Sequence, residues 1–268
     1  MYFRLLKYCC RSPHLLQVES AAAAAGYENI KKEKPSTEWL SRFRLMVMID
    51  RADCFLSISR SNRWLDRHVQ REGEWPASPF VGITFHFGAG LWSLRDIAHQ
   101  DKRSSFLSLP LPLEAFKGHR IPHRASRLRL HEVARASGAP VIYTGGSLPQ
   151  IRASLSSGVN LIGLIDVPPY QTRGLVSTRL FGQPAVLPSG LLKIAASEKV
   201  TTVSFIMSCD WDTGKRHLKI MPIPEGSLEQ RVHVLAMQLE KAIAEQPEAW
   251  HLWPAASTFL AAARTERP

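Results

Sequence analysis

Apolar residues recur along this chain at two spacings, and their alternation predicts the architecture. Pro79-Phe80-Val81-Gly82-Ile83-Thr84-Phe85 is a short apolar run with β-branched members. It is followed by His86-Phe87-Gly88-Ala89-Gly90 and then by the helix-like Leu91-Trp92-Ser93-Leu94-Arg95-Asp96-Ile97, which reads as strand, turn, helix. Further runs suit buried strands at Ser105–Leu109, Val141–Thr144, Leu161–Ile165 and Thr202–Met207. Helical spacing lies between them at Arg127–Ser137, Leu148–Ser156 and Gly190–Ala196. Strands alternating with helices predict a single α/β domain over residues 37–268, with a largely parallel mixed sheet flanked by helices. Residues 1–36 show no sustained periodicity and are expected to form a loosely attached arm.

Two segments carry local signals. Cys209-Asp210-Trp211-Asp212-Thr213-Gly214-Lys215 separates two strand-like runs and has hairpin turn chemistry. It resembles the start of a calcium loop, but the twelfth position is Met221 where a bidentate Glu is required. Ser227 and Gln230 can form a capping box for a last helix that buries Leu228, Val232, Leu235, Leu239 and Ile243. From Thr37, the residues Leu40, Phe43, Leu45, Met46, Ile49 and Ala52 also have helical spacing, with Arg42, Arg44 and Arg51 toward another face. That helix has two readings, one lying on a membrane and one packed on the domain.

Composition narrows the class. The 268 residues include 34 Lys+Arg and 23 Asp+Glu, a formal charge of +11, with 45% apolar residues. This is a globular chain expected to meet an anionic partner: nucleic acid, an acidic carrier protein or an anionic bilayer. No run approaches the roughly 18 apolar residues of a membrane-spanning helix. Cys9, Cys10, Cys54 and Cys209 fit neither a disulfide framework nor a zinc site. A reducing compartment is expected, either the cytosol or the cytosolic side of a membrane.

His86 stands where a side chain emerges at the carboxyl end of a strand, and neutral imidazole is the common general base near pH 7. A structural histidine in a turn is the competing reading. Gly88-Ala89-Gly90 is only a weak match to a dinucleotide fingerprint, because no acidic residue follows at the end of a second strand. GxSxG, P-loop, HExxH and CxxC motifs are absent, so no cofactor or metal is implied. Between Lys117 and Arg135 stand six Lys/Arg and three His against the single acid Glu132. That block either holds a phosphate, since Arg forks match its oxygens, or is a solvated basic face. Stacking aromatics are missing there apart from Phe116, which disfavours a specific nucleic-acid partner.

Read in order, these segments resemble the lysophospholipid acyltransferase superfamily, and most its branch of bacterial late-step lipid A acyltransferases. Thr84-Phe85-His86-Phe87-Gly88 is similar to that family's histidine block. Thr144-Gly145-Gly146-Ser147 precedes a helix that ends in Gly158-Val159, and Ile165-Asp166-Val167-Pro168-Pro169 stands where the family has a strand-end Asp. Phe181-Gly182-Gln183-Pro184-Ala185, Pro188-Ser189-Gly190 and Pro247-Glu248-Ala249-Trp250 complete a likeness that spans about residues 80–253.

The resemblance implies a glycerolipid-acyltransferase-like fold. It also implies transfer of an acyl chain from a thioester, on acyl carrier protein or acyl-CoA, to a hydroxyl of a lipid or polyol-type acceptor. In the family a His-x4-Asp/Glu pair supplies the base and its orienting acid. The acid position here is Leu91, and Asp96 would lie about 15 Å along a helix. Asp166 is therefore expected to serve His86. Arg127, Arg129, Gly145, Gly146, Phe181 and Gly182 are expected to meet substrate. The segments 40–52 and 117–135 are expected to hold an anionic membrane surface at about 1 kcal/mol per cation. The resemblance thus narrows the expected location to the cytoplasm, peripheral on the inner face of the cell membrane. The alternative is a catalytically degenerate relative that binds acyl chains or carrier protein.

Overall fold

The computed structural model describes residues 9–12, 14 and 16–265. Helices α1 (Gln17–Lys31), α2 (Thr37–Ser59) and α3 (Asn62–His68) lead into strand β1 (Val69–Glu72). The alternating body follows: β2 (Phe80–Thr84), α4 (Leu91–His99), β3 (Ser104–Ser108), α5 (Arg120–Ser137), β4 (Ile142–Tyr143), α6 (Leu148–Ser156) and β5 (Asn160–Leu164). A hairpin of β6 (Leu175–Leu180) and β7 (Gln183–Pro188) precedes α7 (Gly190–Glu198), β8 (Thr201–Cys209), β9 (Arg216–Pro222), α8 (Leu228–Glu245) and α9 (Ala256–Thr265).

Seven strands form one sheet in the order β1-β9-β8-β2-β5-β3-β4, and β6-β7 pair separately. The β8–β9 pairing is the one antiparallel pairing in the large sheet, so β1 and β9 run opposite to the other five strands and the sheet is mixed and mostly parallel. Every residue of β2 is buried, as a central strand covered on both faces requires. Alternate strand residues feed two cores. Phe80, Ile162, Val203 and Phe205 pack with Trp92 and Ile97 of α4 and Val133 of α5, while Val81, Ile83, Leu161 and Ile206 pack with helices of the other face. The expected single α/β domain with a mostly parallel mixed sheet is the architecture observed.

The amino-terminal segment departs from expectation. Residues 1–8 of the expected loose arm lie outside the described residues, but α1 is docked. Tyr27 sets its ring 5.0 Å from both Trp39 and Trp253, and Ala23 and Ile30 are buried beside it. An alanine run without a strong apolar stripe gave no periodic signal, yet small side chains let the helix approach an aromatic wall closely. The Arg-rich helix α2 is likewise packed rather than free for a bilayer. Ser36 caps it by accepting the Trp39 N–H at 3.1 Å, and Phe43, Leu45, Met46 and Ile49 are core residues. Its cations are engaged inside the molecule: Arg42 with Glu38 and Glu248, Arg51 with Glu19, and Arg44 buried against the Cys10 carbonyl.

Two further local expectations are met. Cys209 and Arg216 close the β8–β9 hairpin, where Asp210 accepts the N–H groups of Asp212 and Thr213. Ser227 and Gln230 form the capping box of α8. Among the described residues, no helix is long and apolar enough to cross a membrane.

A buried ion pair fixes α2 to the hairpin. Asp53, fully buried, accepts both forks of Arg216, whose guanidinium also donates to the Gly214 carbonyl and lies over Trp64. Removing one member leaves a buried charge alone, whereas replacing both with apolar residues does not. Asp53→Ala is expected to lower unfolding free energy by about 3–5 kcal/mol in urea titrations. A double Asp53→Leu, Arg216→Met variant is expected to recover most of that loss, and equal losses in both would show that packing, not charge, is what the pair supplies.

Candidate active site

Register brings the central pair together. Thr84 is the partner of Leu164 across β2 and β5, so His86 and Asp166, each two residues past its strand, leave the carboxyl edge of the sheet side by side. That edge is where open α/β sheets place ligands. The Asp166 carboxylate is fully buried and ringed by N–H donors. Both its oxygens accept the His86 backbone N–H at 2.9 Å, Oδ1 accepts His86 Nδ1–H at 3.0 Å, and Oδ2 accepts Trp250 Nε1–H at 3.0 Å. A carboxylate is acceptor-only, so the shared proton sits on Nδ1 and the lone pair of neutral His86 sits on Nε2. The imidazole is about one-third exposed (34%), with its partner fully covered.

Opposed forces set the protonation of His86. Burial disfavours the imidazolium, but the charge and hydrogen bonds of Asp166 outweigh it and raise the pKa above the ordinary 6.5. The positive charge of Arg129 acts, as the weakest influence, on the side of burial and against the imidazolium. Arg129 is itself held by Asp50 of α2, at 2.7 Å. The site thus holds an imidazole and the buried carboxylate that fixes its tautomer, while Arg129 is anchored on α2.

The segment that ends in Trp250 closes around the histidine loop. Phe87 bridges Trp250 in antiparallel fashion, the Gly88 N–H donates to the Ala249 carbonyl at 2.9 Å, and the His251 N–H donates to the His86 carbonyl at 2.9 Å. The His251 ring adds a bond from Nε2 to the Gly88 carbonyl at 2.7 Å. Gly88 is in the left-handed region at φ +63°, and a Cβ there would stand 1.7 Å from the Met207 carbonyl oxygen. Only glycine lets the loop lie this close to β8. Glu248 is buried next to the same clasp and meets Arg42 at 3.4 Å.

The other sequence candidates fall in different places. Leu91 opens α4 with its side chain in the core beside Trp92 and Leu94, away from any role as an acid. Asp96 is bound by Arg71, Trp75 and Gln100. Arg127 lines a groove beside the ends of β3 and β4 with His123 and Tyr143, apart from the Arg129–Asp50 pair. Gly145 and Gly146 both have positive φ in the loop after β4, facing open space on that same outer side. Phe181 and Gly182 are the two central residues of the β6–β7 turn, with φ of 54° and 71° as a type I′ turn needs. The Phe181 ring stacks on Trp253 at 5.8 Å and reaches Trp250 at 5.9 Å. Of the candidates, then, His86 and Asp166 meet directly, and Phe181 packs on the Trp250 indole that donates to Asp166.

Sequence reasoning assigned no role to Trp250, His251 or Gly88. The signal available was the pairing of a closing Trp with a strand-end Asp, but the 84 positions between them hide the contact. No protein-family model matches the chain, and no curated protein matches its sequence.

Because Asp166 raises the His86 pKa, the imidazolium form is favoured in the folded state. Its contribution to stability is complete below the unfolded pKa and is lost as pH rises through the folded one. An NMR titration of the His86 ring is expected to give a midpoint above 6.5, and Asp166→Asn is expected to move it down. A midpoint unmoved by that variant would disconnect the two residues.

Proposed function

We propose that this protein is an acyltransferase, moving an acyl chain from a thioester donor to a hydroxyl of a lipid or lipid-like acceptor. The donor is an acyl carrier protein or acyl-CoA. The observation that carries the reading is the His86–Asp166 pair: an imidazole whose Nδ1 proton is held by a buried carboxylate and whose Nε2 is left as the basic atom. That is the geometry of a general base for an oxygen nucleophile. Asp166 takes the part that the resemblance assigns to the residue at position 91.

In the step proposed, His86 Nε2 removes the proton of the acceptor hydroxyl as its oxygen attacks the thioester carbonyl. Asp166 stabilises the imidazolium that forms, while Trp250 and the His86 backbone N–H keep the carboxylate in place. The tetrahedral intermediate collapses by breaking the C–S bond. The proton then passes from Nε2 to the departing thiolate, so the products are an ester and a free thiol, and neutral His86 is restored. Arg129, anchored on Asp50, supplies positive charge near the ring; it favours an anionic group on donor or acceptor and restrains premature protonation of the base.

The deciding experiment measures thiol release and the mass of acylated product from purified protein given acyl-carrier and acyl-CoA donors with membrane lipid extract. His86→Ala is expected to abolish transfer, and Asp166→Asn to lower it by roughly 10³–10⁴, the scale of losing tautomer control in a comparable triad. Rate is expected to rise with pH through the elevated pKa of His86, since only neutral imidazole accepts the proton. Absence of transfer by the unaltered protein, with acyl donors still bound, would replace the enzyme reading by that of an acyl-binding protein.

A further inference from the structure

In its first three turns helix α5 packs by one face, where His123 meets the Leu111 carbonyl and Arg129 meets Asp50, and leaves the opposite face open. From Arg120 to His131 no side chain is fully buried, and burial begins at Glu132. The open face carries two adjacent stripes of exposed residues at helical spacing, Arg120-Arg124-Arg127 and Ile121-Ala125-Leu128. Ile121 is 83% exposed and Leu128 45%, exposures that an apolar face in water does not favour.

The surroundings extend the same surface. Leu109-Pro110-Leu111-Pro112-Leu113, the loop after β3, contains no polar side chain, and Leu109 is exposed. Its two prolines remove N–H donors, which lowers the cost of placing this backbone where water is scarce. Tyr143 and Leu148, at the ends of the β4 connection, are exposed too. Lys117, Arg120, Arg124 and Arg127 have no carboxylate partner among the described residues, in contrast with Arg129, which is held by Asp50. Direction matters as much as composition. The start of β3 bridges Gly138 just past the end of α5, so α5 runs from the carboxyl edge of the sheet to its amino edge. Its amino-terminal half therefore lies on the same edge as His86.

We infer that the Leu109–Leu113 loop and the Arg120–Leu128 half of α5 form a docking surface for an anionic lipid bilayer. Apolar side chains enter the acyl boundary while the arginines beside them meet phosphate oxygens, the arrangement of an interfacial helix. Charge complementarity selects an anionic surface, and five consecutive apolar loop residues select a lipid phase over an acidic protein. Docking by this edge would turn the opening at His86 toward the membrane. The inference concerns where the acceptor of the proposed reaction resides, but the surface itself does not depend on that reaction.

The test uses the full chain in co-sedimentation with equimolar phosphatidylglycerol–phosphatidylcholine vesicles and with phosphatidylcholine alone. Binding is expected to the anionic vesicles only, weakening as salt rises. A Leu109→Asn, Ile121→Asn pair and an Arg120→Gln, Arg124→Gln pair are each expected to weaken it about tenfold or more. All four side chains are exposed, so unchanged circular dichroism is expected to accompany the loss. The proposal fails if the unaltered protein does not prefer anionic vesicles, or if both pairs bind them as well as it does. It fails equally if the pairs bind vesicles normally but lose capture of an acidic acyl carrier protein. Since no thioester is present, loss of the acyl-transfer reading would leave a positive result intact.

Discussion

A carboxylate with no water around it must find its partners inside the protein, and much of this structure is arranged to provide them for Asp166. An ionised group buried without donors costs several kcal/mol or changes protonation. Here the donors come from two directions: the backbone and ring of His86 from the strand beside it, and the indole of Trp250 from far along the chain. The loop after β2, the end of β5 and the segment around Trp250 can therefore not be positioned independently. The aromatic wall of Trp253, Phe181, Tyr27 and Trp39 then backs the indole, so α1, α2 and the β6–β7 turn also bear on the geometry of one hydrogen-bonded group.

The same arrangement explains how an apolar residue is accommodated at position 91. A carboxylate there would begin α4 facing Trp92 and Leu94, inside a dry core. An acid reaching His86 from β5 leaves that core apolar. The two solutions differ in what else they require. An acid on α4 would be local to the histidine, whereas Asp166 depends on strand register and on a third segment to cover it.

Local chemistry was legible in the sequence, and long-range contact was not. Strands with runs of buried β-branched residues, the helix at Leu148–Ser156, the hairpin at Asp210–Lys215 and the cap at Ser227 all follow from patterns a few residues long. His86 and Asp166 could be singled out because each follows an apolar strand, and adjacency of those strands does the rest. The docking of α1 was hidden because alanines carry little periodic contrast. The cations of α2 looked free because their acids, Glu19 and Glu248, lie far away in sequence or beyond a turn. Phe181 and Gly182 stood out as a motif, and the structure gives both a conformational reason in a turn that needs positive φ twice.

The separation between Asp166 and Trp250 also has a meaning in folding time. Contacts between distant parts of a chain are slow to form, because loop closure must come before the contacts that reward it. A chain ordered only through β5 would hold both His86 and Asp166, yet one carboxylate oxygen would lack its indole and the loop at Gly88 would lack the Ala249 carbonyl that clasps it. Residues 246–251 thus complete the geometry around His86 through contacts as far apart in the chain as His251 and Gly88, 163 positions.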